Sequence, residues 1–229
     1  MTSPASRFDI LFEPVQIGPV RTKNRFYQVP HCNGMGHGKP QSLAAMRGVK
    51  AEGGWGVVCT EEVEISHFSE TSPYQEGRLW DERDIPALRL MTEACHAHGA
   101  LAGVELFFNG YATTNRYSRE IPMAPSHIPV QASDPVQARA MDKTDIRNVR
   151  RWHRNAALRA RDAGFDLVYV YAGHDLGMPM HFISRRTNRR TDEYGGSLEN
   201  RVRFLRELIE DTKDAVGDRC GVVVRLAVD

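Results

Sequence analysis

Short runs that are apolar at nearly every position alternate along this chain with longer stretches in which apolar residues recur every three or four positions. The short runs are Phe26–Pro30, Gly56–Glu62, Leu101–Phe108, Leu167–Ala172 and Gly221–Val228. Their pattern predicts five strands covered on both faces, and the longer stretches predict amphipathic helices between them. Together they read as βα units around a parallel sheet. Val15–Val20 is a lead-in that turns at Gly18-Pro19. One helix is expected over Pro86–His98, capped by Asp84 and stopped at Gly99, and another over Asp145–Ala163, capped by Thr144 and stopped at Gly164. The clearest helix follows Ser197, where Val202, Leu205, Leu208, Ile209 and Val216 share one stripe and Gly217 ends it. Arg116–Ala140, with four prolines, is too long and aperiodic for a plain connection and reads as an active-site loop or excursion.

A complete (β/α)8 barrel takes about 250 residues or more, and here five strands already fill 229. The expected fold class is therefore α/β, a TIM barrel of which residues 1–229 supply about the first five βα units, truncated. A doubly wound open sheet is the rival, but no GxGxxG follows the first strand and no GxxxxGK[ST] occurs.

Composition adds exclusions more than assignments. Thirty basic and twenty-nine acidic residues give a formal charge of +1, which offers no bulk attraction to nucleic acid or to an anionic membrane. The longest apolar stretches, such as Leu101–Phe108, fall far short of the roughly 20 residues that cross a bilayer. The opening MTSPASRFD has no apolar h-region, so a cytoplasmic location is expected. Cys32, Cys59, Cys95 and Cys220 form no CxxC pair and suit free thiols in a reducing compartment.

In α/β barrels chemistry gathers at the C-terminal ends of the strands. Strand one ends in Pro30-His31-Cys32-Asn33-Gly34, strand two in Glu61-Glu62 and Glu64, and strand three carries Glu105 and ends at Phe107-Phe108-Asn109. Strand four ends in Tyr171-Ala172-Gly173-His174, and strand five holds Arg225 and stops at Asp229. Charges within strands are costly unless paired or bound to a ligand, so Glu105 and Arg225 either pair with each other or face a cofactor.

Several strings carry a family resemblance. Asn24-Arg25-Phe26 before strand one, Glu52-Gly53-Gly54-Trp55-Gly56 into strand two, and above all the run from Asn188 to Arg201 (NRRTDEYGGSLENR) resemble the flavin-dependent old yellow enzyme superfamily. Within it, the run from Arg25 to Gly34 (RFYQVPHCNG) is similar to the branch holding trimethylamine, dimethylamine and histamine dehydrogenases. The resemblance extends from Phe8 to Asp229. It implies the N-terminal portion of an FMN-binding barrel, continued in those enzymes by further strands, a 4Fe–4S module and nucleotide-binding-like domains. It also implies oxidation of a small amine, transfer of electrons to an electron-transfer flavoprotein or similar acceptor, and a homodimer in the full-length form.

The resemblance gives residues roles. Cys32 stands where the amine dehydrogenases bond cysteine sulfur to C6 of the flavin, with Pro30 beside it, while composition alone would make Cys32 a small buried hydrophobe. Tyr171 and His174 match the paired polar residues that face flavin and substrate; a phenol and an imidazole can relay the proton of a substrate ammonium. Arg225 matches the arginine at the flavin N1 and O2 edge, and Glu105 stands where many relatives carry glutamine, able to accept from flavin N3–H. Phe107 is expected to line the substrate site. Glu62 departs from trimethylamine dehydrogenase, which has a tyrosine there; a carboxylate suits a substrate with N–H donors or a second positive centre, or else it points to solvent or to an arginine. Ene-reductases place a proton-donating tyrosine two positions after His174, and this chain has Leu176.

Other features are weaker. His31, Cys32 and His37, and the Cys95–His98 cluster, lack a matching distant ligand pair, so no metal is assigned. Arg147, Arg150, Arg151 and Arg154 read as a solvated outer helix face or a domain contact rather than a nucleic-acid site. The expected activity is FMN-dependent oxidation of a C–N bond to an imine that hydrolyses to an aldehyde plus amine or ammonia. An NAD(P)H-dependent ene- or dienoyl-reductase and a non-catalytic barrel scaffold are the alternatives.

Overall fold

A computed structural model describes residues 6–71, 76–132 and 134–227. The lead-in is a hairpin, β1 (Val15–Ile17) and β2 (Val20–Thr22), folded at Gly18-Pro19 with Gly18 in the left-handed region (φ 56°). Then come β3 (Tyr27–Gln28), α1 (Pro40–Glu52), β4 (Val57–Glu64), β5 (Gly77–Arg78), α2 (Ile85–His96) and β6 (Leu101–Phe107). A small excursion follows, with β7 (Met123–Ala124), β8 (Ile128–Pro129) and β9 (Gln137–Ala140). The chain continues through α3 (Lys143–Asp162), β10 (Leu167–Ala172), α4 (Met178–Ile183), α5 (Leu198–Val216) and β11 (Gly221–Leu226).

The central sheet runs β11-β10-β6-β4-β3, every pair parallel, with β5 attached to β4. Neighbouring strands are successive in the chain and most are joined by helices, which is the arrangement of successive (β/α)8 units. All five predicted strands are present, and β10 has the predicted limits. The predicted last strand end, Val228 and Asp229, lies outside the described residues.

The helix-facing core takes alternate strand residues, among them Val58, Ala102, Val104, Leu106, Val168, Val170 and Ala172. The other face closes on Val57, Cys59, Leu167 and Tyr169, against which Ile17 and Val20 of the hairpin pack. Among the described residues no helix is long and apolar enough to cross a membrane.

Two caps differ from expectation. The carboxylate of Asp142, two residues before Thr144, accepts from the backbone of Thr144 and Asp145 and starts α3. Asp84 makes no cap for α2; it accepts instead from Trp80 N, Asp81 N and Arg78, while Asp81 caps the preceding short turn. The helix after Ser197 is as predicted, and Ser197 starts it by accepting from Asn200 N at 3.3 Å. The excursion within Arg116–Ala140 is a three-stranded sheet, with its own small core of Tyr111, Ala124, Ile128, Val130 and Ala138. Arg150 on α3 pairs with Glu207 and Asp211 on α5, so that basic face is in part a contact between helices.

A candidate active site on the concave face of the sheet

Side chains alternate between the two faces of a strand, so the residues sharing parity with Val57, Cys59, Leu167 and Tyr169 line the concave face. On β6 and β10 these are Glu105, Phe107 and Tyr171, and Arg225 of β11 pairs in register with Tyr171. On β4 the parity changes partway. Cys59 pairs with Gly103, but the next pair is Glu62 with Glu105, so β4 carries one extra residue between them. This bulge re-aims the strand. It sets Glu62 beside Glu105 and sends Glu61 the other way.

At the strand ends the hydroxyl of Tyr171 lies 2.5 Å from Nδ1 of His174. Arg225 joins this pair from β11, with Nη2 3.4 Å from His174 Nε2 and the guanidinium 5.6 Å from the centre of the Tyr171 ring. Its Nη1 donates to both oxygens of Glu105, at 3.2 and 3.1 Å, and to the carbonyl of Pro30 at 3.3 Å. The mutual pairing of Glu105 and Arg225 is thus made. Burial pushes the Glu105 carboxyl up, against the opposing pull of Arg225. Burial likewise raises the Tyr171 phenol, helped by the charges of Glu105 and Glu62, and so keeps it protonated. Phe107, 1% exposed, lies beneath Tyr171 with ring centres 4.9 Å apart, and reaches the site as the support of that ring rather than as an open wall.

A second group gathers around Cys32. Its thiol and the carboxyls of Glu62 and Glu76 bring ligand atoms within 4.8 Å of one another. Cys32 is exposed, whereas Cys59, Cys95 and Cys220 are buried, and all four are free. Desolvation and the neighbouring acids hold the Cys32 thiol up at about 12. Burial, then Glu76 and Glu105, raises Glu62 to about 8, and burial, then Glu61, raises Glu76 to about 7. These two acids compete for charge and retain protons near neutrality. Glu62 is also 3.5 Å from Thr71 Oγ1, and it has no arginine partner among the described residues.

The structure brings together seven of the eight anticipated residues, with Phe107 one layer below. Glu76 was not anticipated, since it lies just before β5 and outside any periodic run. Nor was Glu61 separated from Glu62, because the bulge that sorts them leaves no local signature. His37 and the Cys95–His98 run do not join the group around Cys32. The NRRTDEYGGSLENR run does not reach this face. It knots the connection between α4 and α5: Asn188 donates to the carbonyls of Phe182 and Tyr194, Arg190 pairs with Asp192, and Arg201 donates to the carbonyls of Ile183 and Gly196.

Comparison with known proteins gives this face a context. The model of the NADH:flavin oxidoreductase / NADH oxidase family matches residues 10–229. Dimethylamine dehydrogenase of Hyphomicrobium sp. (strain x) is 44% identical, over 97% of this chain and 31% of its own length. The structure of histamine dehydrogenase from Rhizobium sp. 4-9 superimposes with a TM-score of 0.94 at 56% identity, over 97% of this chain and 34% of that one. That of 6-hydroxypseudooxynicotine amine oxidase from Pseudomonas geniculata N1 gives 0.95 at 51% identity, with the same coverage. The chain spans about a third of the length of these relatives.

Proposed function

This chain belongs to the NADH:flavin oxidoreductase / NADH oxidase family, and on that premise we propose that it forms the site at which a flavin enzyme oxidises the C–N bond of a small amine. The product is an imine, which water hydrolyses to an aldehyde plus a smaller amine or ammonia. The observation that carries this reading is the joining of Tyr171, His174, Arg225 and Glu105 in one hydrogen-bonded group, beside a thiol and two proton-retaining acids.

The donor set fits FMN. A guanidinium, a carboxylate and the carbonyl of Pro30 converge on one edge of the concave face, matching a ring edge that both accepts and donates hydrogen bonds. Arg225 would hold that edge and Cys32 would bond to the ring through sulfur. Bound there, FMN supplies a two-electron acceptor for the substrate. The chain's own residues do the rest. Tyr171 and His174 take the ammonium proton, since oxidation at the C–N bond requires the neutral amine; their 2.5 Å contact lets a proton pass from phenol to imidazole. Arg225 sets a fixed positive charge where electrons arrive. Glu62 and Glu76 meet a cationic substrate: an incoming ammonium favours their charged forms, and each can then accept N–H bonds.

This favours primary and secondary amines, diamines or imidazole-amines over a fully methylated cation. Leu176, where the ene-reductases of the superfamily place a proton-donating tyrosine, supports amine oxidation over alkene reduction. On the same reading the 4Fe–4S cluster, the contact with an electron-transfer flavoprotein and the dimer contacts belong to the longer protein, of which residues 1–229 form the N-terminal barrel portion. Four free thiols suit a cytoplasmic location. Incubation of the full-length protein with dimethylamine or histamine and an artificial electron acceptor, with carbonyl trapping and mass spectrometry, should yield the matching aldehyde. Consumption of acceptor without an aldehyde would contradict C–N oxidation.

A further inference from the structure

Cys32 sits in a turn between two fully buried charges from different elements. On its N-terminal side Arg47 of α1, 0% exposed, donates from Nη2 to the carbonyl of His31 at 2.9 Å and from Nη1 to Gln28 Oε1 at 3.1 Å. On its C-terminal side Glu61 of β4, also 0% exposed, accepts at Oε2 from the backbone N–H of Asn33 at 2.8 Å and of Gly34 at 3.0 Å. Each charge meets the backbone dipole that complements it, a cation on a carbonyl and an anion on two N–H groups. The other oxygen, Glu61 Oε1, has no hydrogen-bond partner. It faces Gly36, where a Cβ would come within 2.4 Å of it and 2.3 Å of Gly77 N. The turn therefore packs onto the carboxylate closely enough that its next bend admits no side chain.

Burying a carboxylate and a guanidinium is costly, and an apolar pair of the same size fills space as well. What an apolar pair cannot do is fix both flanks of one residue. The bulge in β4 that turns Glu62 to the concave face also delivers Glu61 to this turn.

We propose that Arg47 and Glu61 are positioning residues that clamp the turn around Cys32 and hold its sulfur at the flavin for covalent attachment. This rests on the thioether reading above. In that attachment an S–C bond replaces the thiol S–H and one ring C–H, and dioxygen accepts the two electrons and two protons released. Both clamp residues are fully buried and reach Cys32 through the backbone of its neighbours. Their contribution is orientation, where a displacement of about 1 Å can cost a hundred-fold in rate.

The test follows attachment itself. Flavin-free full-length protein is incubated with FMN in air, samples are precipitated with acid over time, and flavin is measured in pellet and supernatant. Total FMN bound before acid and the melting temperature are recorded in parallel. Glu61→Ala and Arg47→Met should each slow the appearance of pellet flavin about ten-fold or more, with total bound FMN near wild type and a melting temperature that falls but stays above the assay temperature. Glu61→Gln, whose amide oxygen still accepts two N–H bonds, should fall between. Unchanged rates in the variants would overturn the clamp, as would a slowing matched by an equal loss of bound FMN. If Glu61→Ala or Arg47→Met fails to fold, Glu61→Gln and Gly36→Ala decide by the same criteria. A wild type that leaves all its flavin in the supernatant overturns the thioether reading and the proposal with it.

Discussion

The hydroxyl of Tyr171 lies 2.5 Å from Nδ1 of His174, across a turn in which His174 and Asp175 both adopt left-handed backbone, at φ 54° and 58°. Such conformations are unfavourable for residues with a Cβ, and here they fold His174 back over its own strand end. Gly177 closes the turn where a Cβ would come within 2.7 Å of the Tyr171 ring. The phenol–imidazole pair is thus built by the end of β10 and the loop that follows it, and Arg225 of β11 completes it.

If that pair moves the substrate proton, Tyr171→Phe should slow anaerobic reduction of the flavin by amine about a hundred-fold, within the usual range for a lost acid–base group. Amine affinity should change much less. Stopped-flow traces over a range of amine concentrations separate the two effects.

Glu62 and Glu76, held at about 8 and about 7, are neutral below those values and anionic above them. An ammonium substrate is attracted by the anionic forms, so 1/KM for a secondary amine should rise as pH climbs through about 7 to 8. Glu62→Gln should flatten this rise and lower kcat/KM about ten-fold, the loss expected for one charge-assisted hydrogen bond made in the transition state. Trimethylamine, with fewer N–H donors, should be a poor substrate and lose less. Steady-state kinetics across methylated amines and a diamine would show it, and equal losses for every amine would remove Glu62 from substrate recognition.

His153 and His181 are fully buried and pushed down by desolvation, to about 4 and about 3. The unfolded chain takes up their protons near pH 6.5, whereas the folded protein refuses them until far lower pH. Stability should therefore fall as pH drops below about 6.5. For His153 alone the loss approaches roughly 3 kcal/mol at pH 4. His153→Gln should shallow the acid limb of the melting temperature plotted against pH.

The long motif from Asn188 to Arg201 should act on stability alone. Asn188→Ala leaves the buried carbonyls of Phe182 and Tyr194 without their donor, at a cost of about 2 to 4 kcal/mol. Denaturant unfolding should register this while the flavin spectrum of the folded protein stays unchanged.

Strands were legible in the sequence because both faces of β4, β6 and β10 are buried, which makes them continuous apolar runs. Helix α1 was not read, because its buried stripe of Leu43, Ala44, Arg47, Gly48 and Ala51 includes a charge and a glycine that hide its periodicity. The same arginine belongs to the clamp. Tyr171, His174, Arg225 and Glu105 could be placed because each falls in or just after a predicted strand and matches a family position. Glu76 could not, since it lies just before β5 and outside any periodic run, and Glu61, though at a predicted strand end, could not be told from Glu62 because the bulge that sorts them leaves no trace in local pattern.

The measurement that bears most directly on this account is the visible spectrum of the full-length protein, titrated anaerobically with histamine or dimethylamine and, separately, with NADH and NADPH. Amine oxidation at the concave face predicts that an amine bleaches the flavin band within seconds while the nicotinamides leave it unchanged. Bleaching by NADH or NADPH, with no response to any amine, would contradict it and assign this face to a nicotinamide-dependent reductase.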